Sequence, residues 1–172
     1  MACISVLSVL DVDLKKIKNH FIKFSIPSGR GDIKIVKKFK KKFKFIDESY
    51  NANPLSMSSA IKNVNKYKKK KNTKKIVFLG DMMELGKKSK KFHKNLSKII
   101  NKSDIDQVYV YGKHIKETFN LLSAAKRGRI FKSTKEAYNH FSKIINNNDL
   151  LMVKGSNATG LNKFSKKLKR AA

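Results

Sequence analysis

The chain has 172 residues, with 41 Lys or Arg against 12 Asp or Glu and a formal net charge of +29. Its 40% apolar residues and eleven Phe suffice for one domain-sized core, while no apolar run reaches the roughly 18 residues of a membrane-spanning helix. The single Cys3 excludes an internal disulfide. His20, His93, His114 and His140 lack metal-ligand spacing and are expected at surface or boundary positions, so no metal site is expected.

Residues 2–10 are apolar, but too short and too poor in basic flanks for a secretory signal. They read instead as the tail of a helix in a cytoplasmic protein. Leu14, Ile17, Phe21 and Phe24 then share one helical face, with Asp11 or Asp13 placed to cap it. Ile26-Pro-Ser-Gly-Arg-Gly-Asp32 breaks the period and marks a boundary between residues 1–26 and 27–172. Ile33–Lys37 and Phe43–Asp47 suit a hairpin across a lysine-rich turn. The spacing next predicts a helix over 54–66 with Met57, Ala60, Ile61 and Val64 inward, and a strand at Lys75–Leu79. A helix over 88–101 follows with Phe92, Leu96, Ile99 and Ile100 inward, then a strand at Gln107–Tyr111. A helix over 114–124 carries Ile115, Phe119 and Leu122, and a short strand spans Arg129–Phe131. A helix over 134–146 opens on Ser133 and Glu136 in capping-box spacing. A last strand at Asp149–Val153 leads into a helix over 160–169 with Leu161, Phe164 and Leu168 inward. Strands alternating with helices at this spacing predict an α/β fold with a mostly parallel sheet.

The basic excess is nearly all Lys, with Arg only at Arg30, Arg127, Arg129 and Arg170. Arg is the usual reader of bases, and these lysines run along the whole chain. Lys, Asn and Ile also share A/T-rich codons, so compositional drift accounts for the charge as simply as a polyanion partner does. The runs Lys37–Lys44 and Lys66–Lys75 read as solvated connections.

Four polar segments stand out: three leave strand ends, where an open α/β sheet binds its ligands, and the fourth, Gly29-Arg-Gly31, lies in the domain boundary. Asp47 to Asn53 is almost wholly polar, with Asn53 as N-cap and Pro54 at the first helical position. The neighbouring acids Asp47 and Glu48 point to opposite sides of a strand, so they do not form a paired general acid and base. Gly80 to Lys88 is not a phosphate loop: its glycines are one residue too far apart and Lys88 replaces the Ser or Thr. Gly29-Arg-Gly31 presents a guanidinium able to clamp phosphate or carboxylate. Lys154-Gly-Ser-Asn157 joins a cation and a hydroxyl to a helix start, which suits an anion. Ordinary strand–turn–helix junctions account for three of these segments taken alone, and a surface hinge accounts for Gly29-Arg-Gly31.

Together the segments say more. Gly29-Arg-Gly-Asp32, Ile46-Asp-Glu-Ser-Tyr-Asn-Ala-Asn-Pro54, Leu79-Gly-Asp-Met-Met-Glu-Leu-Gly86 and Val153-Lys-Gly-Ser156 resemble, in order and spacing, the bacterial Mur ligases over residues 2–169. The resemblance implies a Rossmann-like three-layer C-terminal domain at 27–172, preceded at 1–26 by the last helices of a central ATPase domain. It implies ATP-dependent amide formation in peptidoglycan synthesis through an acyl phosphate. ATP and Mg2+ would serve the full-length enzyme, and UDP-N-acetylmuramoyl-tripeptide and D-alanyl-D-alanine would be its partners. The family's phosphate loop, carbamylated lysine and magnesium ligands belong to the central domain, so these residues alone should not turn over ATP and hold no complete catalytic set.

By the same resemblance Arg30 reaches the nucleotide phosphates. One acid of the Asp47-Glu48 pair holds the ribose, with Glu48 at the position where the family usually has Asp. Tyr50, Asn51 and Asn53 line the nucleotide and acyl-phosphate side. Asp81, Lys154 and Ser156 face the incoming dipeptide. Asn157 departs from the family pattern, which often has Arg there. Two other classes stand beside this reading: a basic nucleic-acid module, and an interaction subunit completing a separately encoded ATPase half.

Overall fold

The computed structural model describes residues 2–13, 15, 16, 19 and 27–170. The helical face expected at Leu14, Ile17, Phe21 and Phe24 lies outside them. The described elements are α1 (Ala2–Val9), β1 (Asp32–Lys38), β2 (Lys41–Glu48), α2 (Pro54–Lys66), β3 (Lys75–Gly80), α3 (Ser89–Asn101), β4 (Gln107–Tyr111), α4 (Lys116–Asn120), β5 (Arg127–Ile130), α5 (Thr134–Ile144), β6 (Leu150–Lys154) and α6 (Leu161–Lys169). Among the described residues no helix is long and apolar enough to cross a membrane.

The strands form one six-stranded sheet in the order β1-β2-β6-β3-β4-β5. Only β1 is antiparallel to its neighbour. Both faces are covered, which is why the central strands read as unbroken apolar runs. Val77, Leu79, Val108, Val110 and Met152 meet Met57, Ile61 and Val64 of α2 and Leu96 and Ile100 of α3. Ile76, Phe78, Tyr109, Leu151 and Val153 meet Phe141 of α5 and Phe164 and Leu168 of α6. Phe78 sits at the centre of that second layer, its ring centroid 5.1 Å from Phe164, 5.3 Å from Phe141 and 5.5 Å from Phe131. Tilted and edge-on ring pairs of this kind add to simple burial.

The hairpin turns on Phe39 and Lys40, at φ 56° and 57°. Two left-handed residues are what a two-residue turn between right-twisted strands requires. No glycine supplies them here; Phe39 instead packs edge-on against Tyr138 at 5.0 Å.

Four sequence expectations need correction. The run Lys37–Lys44 is not a connection but the strands of the hairpin. Lys75, at the end of the second run, is buried and pairs with Asp104. The helix expected over 114–124 is only Lys116–Asn120, followed by a short 3-10 turn at Ala124–Lys126, and the next strand begins at Arg127. The buried face of α3 is Leu96 and Ile100 with His93 and Ser97, while Phe92 and Ile99 are only partly covered. His93 is therefore not a surface residue but wholly buried.

Topology places the site. β6 lies between β2 and β3. The helices leaving β2 and β3 cover one face, and the helix leaving β6 covers the other. Such a reversal opens a crevice at the carboxyl ends of those strands.

Candidate functional site at the carboxyl edge of the sheet

Glu48 and Lys154 are register partners at the ends of β2 and β6. The Lys154 ammonium lies 3.1 Å from Glu48 Oε2 and donates to the Asn51 carbonyl at 3.0 Å. Its side chain is 2% exposed and that of Glu48 is 25% exposed, so the acid forms the open member of the pair. Glu48 borders a cavity of about 80 Å3 that Gly31 also lines. A side chain at Gly31 would bring its Cβ to 3.1 Å from Glu48 Oε1. Glycine there keeps the outer carboxylate oxygen accessible.

Ser156 ties three loops together. Its hydroxyl donates to the Ala52 carbonyl at 3.3 Å and accepts from Met83 N–H at 3.0 Å, while its own N–H donates to the Asp81 carbonyl at 3.0 Å. The loops after β2, β3 and β6 are thus one assembly. Asn53 caps α2 by accepting from Ser56 N–H at 2.8 Å, and the Ser56 hydroxyl accepts in return from Asn53 N–H at 3.1 Å. Asn51 Oδ1 accepts from Ala52 N–H at 2.8 Å. Both amide oxygens are therefore engaged locally.

Arg30 stands at the rim between two glycines in the left-handed region, Gly29 at φ 82° and Gly31 at φ 93°. The turn is held because Gly31 N–H donates to the Asp47 carbonyl and Tyr50 N–H to the Gly29 carbonyl. The guanidinium carbon lies 4.3 Å from the Tyr50 ring centre. Stacking orients a guanidinium while leaving its in-plane N–H groups for an anion. Next to it is a cavity of about 310 Å3 lined by Tyr50, Asn157 and Lys166.

Asp47 and Asp81, two of the expected site residues, are turned into the scaffold. Asp47, 2% exposed, accepts from Ser49 N–H and Oγ and lies 2.5 Å from the Lys169 ammonium. Its cross-strand partner Asp32 is 3.4 Å from the same ammonium and accepts from Gly29 N–H. Burial pushes the pKa of Lys169 down, but the hydrogen bond and charge of Asp47 and then Asp32 outweigh it and leave it raised. The buried carboxylate of Asp81 accepts the N–H groups of Lys113, His114 and Ile115 at 2.7–2.9 Å. His93 supports the same loop: Nε2 accepts from Met82 N–H at 3.0 Å and Nδ1 is 2.8 Å from the Ser89 carbonyl. The donor at Nδ1 fixes the tautomer. Burial lowers the His93 pKa, against the smaller opposing pulls of the Ser89 carbonyl and Asp81.

The structure brings Glu48, Asn51, Lys154 and Ser156 together and sets Arg30 against Tyr50 beside them. Sequence reading missed Lys169, His93 and Asp32. Lys169 is one of several last-turn lysines in α6, with no local feature to single it out.

A family profile described as Mur ligase, glutamate ligase domain, matches residues 33–157. The chain belongs to the Mur ligase family. UDP-N-acetylmuramoyl-tripeptide–D-alanyl-D-alanine ligase of Rickettsia prowazekii is 26% identical over 159 residues, covering 92% of the chain and 34% of that relative. The ligase of the same name from Buchnera aphidicola of Baizongia pistaciae is 30% identical over 166 residues, covering 94% and 33%. Among solved structures, MurF from Acinetobacter baumannii superposes with a TM-score of 0.77 at 23% identity, over 98% of the chain and 36% of that protein. MurF ligase from Thermotoga maritima, solved in complex with ADP, gives 0.73 at 21% identity over 96% and 35%. The chain spans about a third of the length of these Mur ligase relatives. Their shared fold agrees with the expected Rossmann-like α/β architecture.

Proposed function

We propose that residues 27–172 form the C-terminal wall of a cytoplasmic ATP-dependent ligase that adds D-alanyl-D-alanine to UDP-N-acetylmuramoyl-tripeptide in peptidoglycan synthesis, and that residues 1–26 are the tail of its ATPase domain. The observation that carries this is the Glu48–Lys154 pair at the switch point, in a chain whose relatives bear that enzyme's name. ATP and the two peptide substrates are the ligands on this reading. Arg30 meets the nucleotide phosphates, and Glu48, through its open oxygen, accepts from the ribose hydroxyls. Tyr50 keeps the guanidinium in place. Asn51 and Asn53 shape the acyl-phosphate side through the loop they brace rather than through their engaged oxygens.

Lys154 and Ser156 hold the acceptor side, and Asp81 fixes its loop from behind. Amide formation from an acyl phosphate needs reactants held in line and charge neutralised more than it needs a covalent side chain. The described residues contain no group of three or more His, Cys, Asp or Glu able to hold a metal. Among them there is accordingly no protein-built Mg2+ centre.

The test is phosphate release. The 172-residue chain with ATP and both substrates should release none. A chimera that joins residues 27–172 to the preceding two thirds of the Rickettsia prowazekii relative should release phosphate only with both substrates present. Arg30→Gln in that chimera should raise the KM for ATP about tenfold, the loss of one charge-assisted contact. Turnover by the chain alone, or a folded ATP-binding chimera that stays inert, overturns the proposal.

A further inference from the structure

At the amino-terminal end of the parallel strands lies another cavity, of about 270 Å3. It is about 20 Å from Glu48 by the six-residue span of β2 from Lys42. Its walls carry Lys42, Lys44, Lys68, Lys69, Lys70 and Lys74. The acids nearby are already engaged. Asp106 pairs with Lys69 at 2.5 Å and Asp104 with the buried Lys75. Asp149 is buried and accepts the N–H groups of Lys74 and Asn146. Among the described residues the other five lining lysines form no ion pair with an acid.

The walls are firm although the lysine heads are solvated. Lys44 N–H donates to the Asp149 carbonyl, Asn148 N–H to the Lys42 carbonyl and Leu150 N–H to the Lys74 carbonyl, at 2.8–2.9 Å. Lys42 N–H donates to Asn147 Oδ1 at 2.8 Å. The starts of β2, β3 and β6 are thereby locked together, which fixes the backbone from which Lys42, Lys44 and Lys74 line the cavity. Like charges gathered around one cavity repel one another, and an anion of several linked charges relieves that repulsion most.

We propose that this cavity is an anion site, separate from the ligation edge, that takes a compact oligophosphate of three or more linked phosphate groups. Its chemistry does not suit a nucleic-acid strand. No arginine lines it, and neither of its two aromatics offers a free face: Phe43 is buried in the core and Tyr67 is covered by the Lys44 ammonium at 5.0 Å from the ring centre. Its volume also falls below the roughly 300–1,000 Å3 of sites for drug-sized ligands, which favours a small anion.

The experiment is calorimetric titration of the whole chain with inorganic tripolyphosphate at about 0.15 M salt, where diffuse attraction is screened within roughly 8 Å. One site is expected, with Kd raised about tenfold by combined Lys44→Gln, Lys70→Gln and Lys74→Gln. The charge-matched set Lys62→Gln, Lys91→Gln and Lys135→Gln, all exposed elsewhere, should leave Kd unchanged. Lys70→Gln alone, in an exposed loop, should weaken binding in a chain whose circular dichroism is unaltered. ATP should compete at this site through its phosphates, whereas adenosine should not. Equal weakening by both triple sets would mean a diffuse field and overturn the proposal. So would loss of tripolyphosphate binding in Arg30→Gln, which would place it at the ligation edge. Tighter binding of oligo-deoxythymidine at equal phosphate concentration would overturn it in favour of a nucleic acid.

Discussion

Lys169→Met keeps the aliphatic packing of the stem and deletes the ammonium between Asp32 and Asp47. Those carboxylates are cross-strand neighbours, both buried. Among the described residues the other cation within reach, Lys34, is 4.0 Å from Asp32 on an exposed stem and is worth little in water. Removing one partner of a buried pair costs about 3–5 kcal/mol, because the remaining charge is left uncompensated. Asp47 keeps its two contacts from Ser49, and the Lys169 side chain is 13% exposed so that water can enter. The lower end applies, about 3 kcal/mol, or a fall in Tm of roughly 6–12 °C for a chain of this size. Urea unfolding of the parent, Lys169→Met and the double variant with Asp47→Asn measures it. The double variant should recover more than half of the loss, since a neutral amide tolerates the missing cation. The pKa of Lys169 is raised in the fold, so its contribution is complete below the ordinary lysine value near 10.4. It is lost only as pH climbs through the higher folded value. The gap between parent and variant should therefore persist at neutral pH and close only in strong alkali. A loss under about 1 kcal/mol, or no recovery with Asp47→Asn, would refute the reasoning.

Two further outcomes follow from the loop after β3. His93 has a lowered pKa in the fold because it is buried, so as pH falls below about 6.5 the unfolded chain takes up the proton first and stability drops toward the folded value. His93→Phe should flatten that acid-side slope, leaving the part due to His140, whose pKa burial also lowers; an unchanged slope in urea midpoints between pH 7 and 5 would contradict this. Gly112→Ala would place a Cβ 2.5 Å from Asp81 Oδ1 at a backbone φ of 145°. Displacing Asp81 from its three amide donors should cost about 2 kcal/mol or more and speed hydrogen exchange at Ile115, whereas protection equal to the parent's would show that the loop can absorb the methyl group.

Most of the local architecture was legible because its signals are local. The inward stripe of α2 and the Asn53-Pro54 start depend on residues within one helix, and the structure reproduces both. The same holds for Leu161, Phe164 and Leu168 of α6. The buried face of α3 was misjudged at His93 and Ser97 because both look polar. Burial of an imidazole is tolerable once the Ser89 carbonyl and Met82 N–H satisfy both nitrogens, and one of those partners lies outside the helix. The early end of α4 has a distant cause too. Asn101 accepts from Ser123 N–H and donates to the Leu121 carbonyl, while Arg127 donates to the carbonyls of Asn120 and Leu122. These bonds replace the next helical turn. In the candidate site, Arg30, Glu48 and Lys154 could be named from strand-end position and resemblance, but the burial of Asp47 and Asp81 could not, because their partners lie 122 and 32–34 residues away.

Those separations describe how the site is made. Arg30, Glu48, Tyr50, Asn51 and Asn53 come from one short stretch, and bonds within it shape its turns, but the stretch is anchored from elsewhere in the chain. Glu48 and the Asn51 carbonyl are held by Lys154, and the Ala52 carbonyl by Ser156. The turn carrying Arg30 is tied down by Lys169 through Ser28, Asp32 and Asp47. All three fasteners come from β6, the loop after it and α6, and β6 takes its place between strands made earlier in the chain. Closing such long loops costs entropy before the contacts repay it. The geometry of the candidate site is therefore completed only in the finished sheet, and the early hairpin with α2 contains it in part.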